Sequence, residues 1–353
     1  MSSLTSLQTG TATITRYSYT TDVTVTSVTL SKSFVISHST YATSSTNVPE
    51  GAFTTQLSSA TNIHFERGIA NDWVITIYWQ LIQIEGATVQ RGESVIVYGT
   101  DITITSVDTT KAFAIVTVRG GSVSTLGHLI TSIKITTATN LNIVNQAGVE
   151  SPVADWVVIV ISDCSVQVST GDNTTYSSKD ITINAVVLSN SLIFFSCSTS
   201  GSQTINPAQL PVAYFVDTVT VRIKSYNTAA KVHSLFVVTC SLWSVQRFYA
   251  EYSSNSNDVT ITTIVVASTM SLLSGSTNIG YASTASTTFD WGNFGCKQII
   301  TSTTNAQITR GANSGNFSIA SQIWCYGAPF LSIFIRPYEF GYRHGAKAGV
   351  SIG

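Results

Sequence analysis

Apolar and polar residues alternate along this chain with period two, in short runs rich in Thr, Val and Ile, and helical spacing of apolar residues is absent. The pattern predicts strands throughout. In "DITITSV", Asp101 to Val107, Ile102 and Ile104 share one face and the threonines the other. Val107 breaks the alternation, which predicts a turn or bulge after Ser106. The threonines suit a solvated sheet surface, because β-branching favours extended backbone. Asp101 is a poor strand former and a good turn former, so at the head of the run it reads as a structural stop and not as a carboxylate site.

The same run recurs as "DVTVTSV" from Asp22, "DITINAV" from Asp180 and "DVTITTI" from Asp258. Other blocks keep the same period of about 80 residues. A "VQ" opening occurs at Leu7-Gln8, Val89-Gln90, Val166-Gln167 and Val245-Gln246. A further apolar block begins at Phe34, Phe113, Leu192 and Met270, and "TNIHFERG" from Thr61 matches "TNAQITRG" from Thr304. Late strands open at Trp79, Trp156 and Leu235, each ten residues before the next "VQ".

These registers predict an all-β chain of four tandem β-sandwich repeats, residues 1–87, 88–164, 165–243 and 244–331, with a C-terminal tail at 332–353. No Gly/Ser/Pro spacer separates the units, so rigid coupling is expected. A sandwich of this size buries only about 60% of its unfolded surface, and packing on a neighbouring repeat or chain would supply the rest.

Composition adds one strong constraint. Charged residues are 10% of the 353, against about 25% in ordinary soluble domains, while hydrophobic residues reach 43%. A surface so poor in charge is weakly defended against association, which points to partner subunits, other copies of the chain among them. Net charge is −1 and no basic run stands out, so nucleic acid is not an expected partner. No apolar run approaches the length of a membrane helix, and no basic-then-apolar leader opens the chain. Synthesis in a cytosol, without membrane insertion or general secretory export, is expected.

Candidate chemistry is sparse. The five histidines, His38, His64, His128, His233 and His344, show no metal-ligand spacing, and no catalytic motif, cofactor fingerprint or paired-carboxylate pattern emerges. No enzyme activity, metal or cofactor is expected. Cys164, Cys197 and Cys240 lie in or beside apolar runs and read as buried thiols; Cys296 and Cys325 share a repeat and would pair only in an oxidising medium. "DWGNFG" offers Asp290, Trp291 and Phe294 as a glycan-binding candidate, polar groups beside aromatic faces, against local loop packing as the simpler reading. The tail carries Arg336, Arg343 and Lys347 against Glu339, and reads either as a surface segment or as a docking segment that orders against another subunit.

"VTVTSVTLSKSFV" from Val23, "YWQLIQIEG" from Tyr78, "VQRG" from Val89 and "ITITSVDTTKAFAIVTVRGG" from Ile102 together resemble repeats in virion structural proteins of tailed bacteriophages, of the tail fibre, appendage or head decoration kinds. The resemblance covers the first two repeats; the third and fourth replace "KSF" and "KAF" with "NSL" and "STM". It implies a non-enzymatic virion component, made in the host cytoplasm and assembled as a multimer with other virion proteins. A receptor- or glycan-binding adsorption protein at the tail, with a host-surface glycan as partner, is the first alternative. A cell-surface adhesin or filament subunit is the second, and would normally carry an export signal.

Overall fold

The computed structural model describes residues 2–41, 51–70, 72–120, 130–145, 152–199, 209–252, 256–261, 269–273, 283–284, 296–310 and 317–326. Among them no α-helix occurs, and helical backbone is confined to short 3-10 turns such as Leu30–Lys32 and Leu188–Asn190. The chain is all-β and built of four tandem β-sandwich repeats.

The first repeat holds β1 (Ser3–Ile14), β2 (Thr20–Thr24), β3 (Ser33–Tyr41), β4 (Phe53–Ser59), β5 (Asn62–Arg67) and β6 (Ile75–Glu85). They form two antiparallel sheets, ordered β1-β6-β3 and β2-β5-β4. The second repeats the plan with β7 (Ala87–Val95), β8 (Gly99–Thr103), β9 (Ala112–Arg119), β10 (Ser132–Thr137), β11 (Asn140–Val144) and β12 (Val153–Ile161), in sheets β7-β12-β9 and β10-β11-β8. In the third, β13 (Cys164–Thr182) and β16 (Thr220–Cys240) run unbroken through both layers, with β14 (Ser191–Thr199) and β15 (Val212–Phe215) as their neighbours. Register shifts between Gly171 and Thr174 and between Tyr176 and Ser178 mark the irregularity in β13 as it changes layer. The fourth contains β17 (Trp243–Tyr252), β18 (Ser256–Thr260), β19 (Thr269–Leu273), β20 (Ser283–Thr284), β21 (Cys296–Ser302), β22 (Asn305–Arg310) and β23 (Phe317–Tyr326), in sheets β17-β23-β19 and β18-β22-β21, β20 adding to β23.

Two repeated residues explain why the layers stay registered. The Gln of each "VQ" opening acts as a piece of backbone. Gln8 accepts from the Thr26 N–H (2.7 Å) and donates to the Thr26 carbonyl (2.9 Å); Gln90 does the same with Thr105 (2.7 and 2.9 Å), and Gln167 with Asn184 (2.7 and 3.1 Å). This pins the end of each Asp-headed run to the first strand of the other sheet. That run leaves its ladder beyond Thr103, three residues before the break expected after Ser106, and the Ile104 and Val107 N–H groups donate to the Thr139 and Ala138 carbonyls (3.0 and 2.8 Å).

The repeated Asp is not a stop. Asp22, Asp101, Asp180 and Asp258 each lie inside a strand and accept from the adjoining central strand. Asn62 Nδ2 and His64 Nδ1 reach Asp22 at 2.7 and 2.9 Å; Asn140 and Asn142 both reach Asp101 at 2.9 Å. Arg222 takes both oxygens of Asp180 at 2.6 and 2.8 Å, and Asn305 and Gln307 reach Asp258 at 3.3 and 3.2 Å. Cross-strand pairing outweighs the poor strand propensity of Asp. Those hydrogen bonds hold the Asp22, Asp101 and Asp180 carboxyls below their ordinary range.

The repeats close on themselves. A backbone N–H in the second sheet of one repeat donates to a side chain of the next: Thr55 to Thr117 Oγ1 (2.9 Å), Ile133 to Ser196 Oγ (3.0 Å), and Gln298 to His38 Nε2 (3.2 Å). The third of these joins repeat four to repeat one, where β21 packs on β3. All three acceptors stand four residues after the start of the Phe34, Phe113 and Leu192 block, so one joint recurs at three of the interfaces of a four-repeat ring. One apolar core runs through all four units, with Phe113 between Phe34 (centroids 6.5 Å apart) and Phe194 (4.4 Å, stacked), and a smaller cluster of Ile261, Ala306 and Ile323 lies in the fourth.

Candidate functional site

Asp290, Trp291 and Phe294 of the glycan candidate, and Arg336, Arg343 and Lys347 of the tail, lie outside the described residues, as do His128 and His344. Among the described residues no group of three or more His, Cys, Asp or Glu is placed to hold a metal ion. Polar side chains converge instead on the joints between repeats.

The first-to-second joint holds the densest cluster. Arg119, on β9, donates to Thr54 Oγ1 of β4 (2.8 Å) and pairs with Glu93 on β7 (2.9 Å) and Glu66 on β5 (3.3 Å). Asp155, on β12, stands opposite both Glu93 and Thr117 in register and is 6% exposed. Burial, then the nearby Glu93 charge, pushes its carboxyl up to about 6; Arg119 pulls the other way without matching them. Its Oδ1 is buried with no hydrogen-bond partner. Glu66 continues to His64 (3.8 Å), which bonds Asp22, so one chain of polar side chains runs from the buried joint to the surface.

A second device appears at alternate joints. Arg91 donates to the carbonyls of Leu30 and Ser33 (both 2.6 Å), around the 3-10 turn of the first repeat. Arg247 does the same for Leu188 and for Ser191 (2.7 Å) in the third, with its guanidinium 4.9 Å from the Phe215 ring. Burial alone lowers both guanidinium groups, Arg247 to about 10. The residue after "VQ" is Thr9, Arg91, Val168 and Arg247 in turn. The arginine clasp therefore joins repeat one to two and repeat three to four. That alternation was the available signal for these arginines; the Asp155 cluster, drawn from five separate strands, had none.

The third repeat buries a lysine. Lys231 donates to the Tyr176 carbonyl (2.6 Å) and Ser225 Oγ (2.9 Å) and lies 4.6 Å from the Tyr176 ring centre, while Tyr176 Oη bonds His233 Nδ1 (3.2 Å). Burial lowers the Lys231 ammonium to about 8. Cys164, Cys197, Cys240 and Cys325 are buried and carry no disulfide. On the outside, Tyr17 and Tyr98 project at positive φ (59° and 60°) from the corners that end β1 and β7, with Tyr19 beside the first.

No protein-family model matches this chain, and no curated protein matches it either.

Proposed function

We propose that this chain is a non-enzymatic structural component of a tailed-phage virion, a tail appendage, fibre or capsid-decoration unit, made in the host cytoplasm and assembling with copies of itself and other virion proteins. One observation carries the reading: the polar residues the repeats share act as fasteners. Gln8, Gln90 and Gln167 tie sheet to sheet, the repeated Asp ties strand to strand, and Arg91 and Arg247 tie repeat to repeat. Such a unit is stiff and offers neighbours a surface low in charge. Its edge strands β2 and β8, polar on the outer face, are able to extend a neighbouring subunit's sheet. Imaging of intact particles labelled through this chain tests the assignment: a regular position on head or tail is expected, and absence from purified particles overturns it. Mass measurement of the purified protein tests assembly, and a stable monomer at high concentration removes the multimer.

A second reading, a glycan-binding adsorption protein, is favoured by Tyr17, Tyr19 and Tyr98, which are 74%, 55% and 60% exposed. Sugar rings stack on tyrosine faces held out in this way. Binding to a host-surface glycan preparation that falls with Tyr98→Ala supports it; no binding by the native protein ends it.

A further inference from the structure

We propose that Cys164 and Cys240 form an oxidation site, a buried dithiol that a hydroperoxide converts to a disulfide joining the first and last strands of the third repeat. Cys164 opens β13 and Cys240 closes β16, and the two are directly opposite in the antiparallel register. Opposed residues project to one face of the sheet, and here both are buried, Cys164 at 4% and Cys240 at 0% exposure. In either kind of antiparallel pair the Cα atoms lie about 4.5 or 5.5 Å apart, and both values fall within the roughly 4.4–6.8 Å that a disulfide spans.

The two thiols perturb each other more than any other group perturbs either of them. Cys240 Sγ donates to the Asp163 carbonyl (3.9 Å), in the tight turn between β12 and β13. The corresponding register positions hold Ala87 opposite Ile161 in the second repeat and Trp243 opposite Tyr326 in the fourth. Cys197 stands opposite His233, and Cys325 opposite Ser244 and Thr269, so neither faces another cysteine across a strand.

One of the two sulfurs attacks one oxygen of the peroxide; the O–O bond breaks, hydroxide leaves and takes up the thiol proton as water, and a sulfenic acid remains. The opposed sulfur then attacks that sulfenic sulfur. The S–O bond breaks, the S–S bond forms, and the hydroxyl departs with the second thiol's proton as a second water. Two thiols and one hydrogen peroxide give one disulfide and two waters, the sulfurs losing the two electrons that the O–O bond gains.

The test uses the intact protein. Hydrogen peroxide is added under native conditions, thiols are then blocked in denaturant, and peptides are mapped without reduction. The expected product is a Cys164–Cys240 cross-linked peptide lighter by two hydrogens, and a thermal midpoint that rises on oxidation and falls back with dithiothreitol. Both cysteines recovered as blocked thiols while the peroxide is consumed by Met or by other cysteines overturns the proposal, as does a cross-link to Cys197 or Cys325.

Discussion

Gln298 in the fourth repeat donates its backbone N–H to Nε2 of His38 in the first, across 260 residues of chain, and by this contact the array becomes a ring. The same contact is made to Thr117 at the first-to-second joint and to Ser196 at the second-to-third, so three chemically different side chains perform one task.

All three acceptors are buried, and removing one orphans a buried backbone donor, which costs about 1–3 kcal/mol. His38→Ala, Thr117→Val and Ser196→Ala are each expected to destabilise by that amount in urea unfolding. If the ring unfolds as one unit the three losses come out alike, with unchanged denaturant slopes. A His38→Ala variant as stable as the native protein would show that the fourth repeat is not held on the first by this bond.

Arg91 and Arg247 predict a deeper loss. Each supports two carbonyls of the preceding repeat from a largely buried guanidinium, and bonds to charged groups contribute about 1.5–3 kcal/mol apiece. Arg247→Ala should therefore cost at least about 2 kcal/mol, and Arg247→Lys should recover little, since an ammonium lacks the guanidinium fork. Thr9→Ala and Val168→Ala, at the equivalent positions of the other two repeats, are expected to cost less than the arginine changes. Urea midpoints of the four variants measure the difference between the two kinds of joint.

Strand glycines give a prediction of unusual sign. Gly10 and Gly92 face Trp79 and Trp156 in register, and a Cβ placed on them would sit 2.5 and 2.6 Å from the indole rings. Alanine normally improves a strand interior over glycine. Here Gly10→Ala and Gly92→Ala should each destabilise, by about 1–3 kcal/mol as overpacking does, and shift tryptophan emission as the ring is displaced. Unaltered emission with raised stability would mean the rings have room to move.

These cases separate what the sequence made legible from what it hid. The strands, the fourfold repeat and the tryptophan positions could be read because period-two patterning and repetition are local and additive. The role of Asp22 could not, because turn propensity considers its own backbone while its partner Asn62 stands 40 residues away. Closure of the ring was hidden for a related reason. Its donors are main-chain N–H groups, which leave no residue signature, and its acceptors are a histidine, a threonine and a serine. The glycan and tail candidates rested on residue types grouped in sequence, and the described residues do not include them. The arginine clasps were written after every second "VQ" and needed only to be read as an alternation.

Asp155 supplies a pH dependence whose sign follows from its surroundings. Its carboxyl titrates at about 6 in the folded chain against an ordinary 3.8, so between those values the folded state binds the extra proton. Stability from this group is therefore greatest at low pH and is lost as pH rises through about 6, the full difference being of the order of 3 kcal/mol. The exposed carboxylates at Asp22, Asp101 and Asp180 are lowered and work in the opposite direction, their contribution falling away as pH drops toward and below about 4. The melting temperature should pass through a maximum near pH 4–5, above its value at pH 7. Asp155→Asn keeps the shape of the side chain and removes the charge. It should raise the melting temperature at pH 7 and flatten the limb between about pH 4.5 and 6.5, while leaving the acid limb in place. If the variant instead loses stability at pH 7, the ionised Asp155 is held by Arg119 more strongly than it is opposed by burial and Glu93.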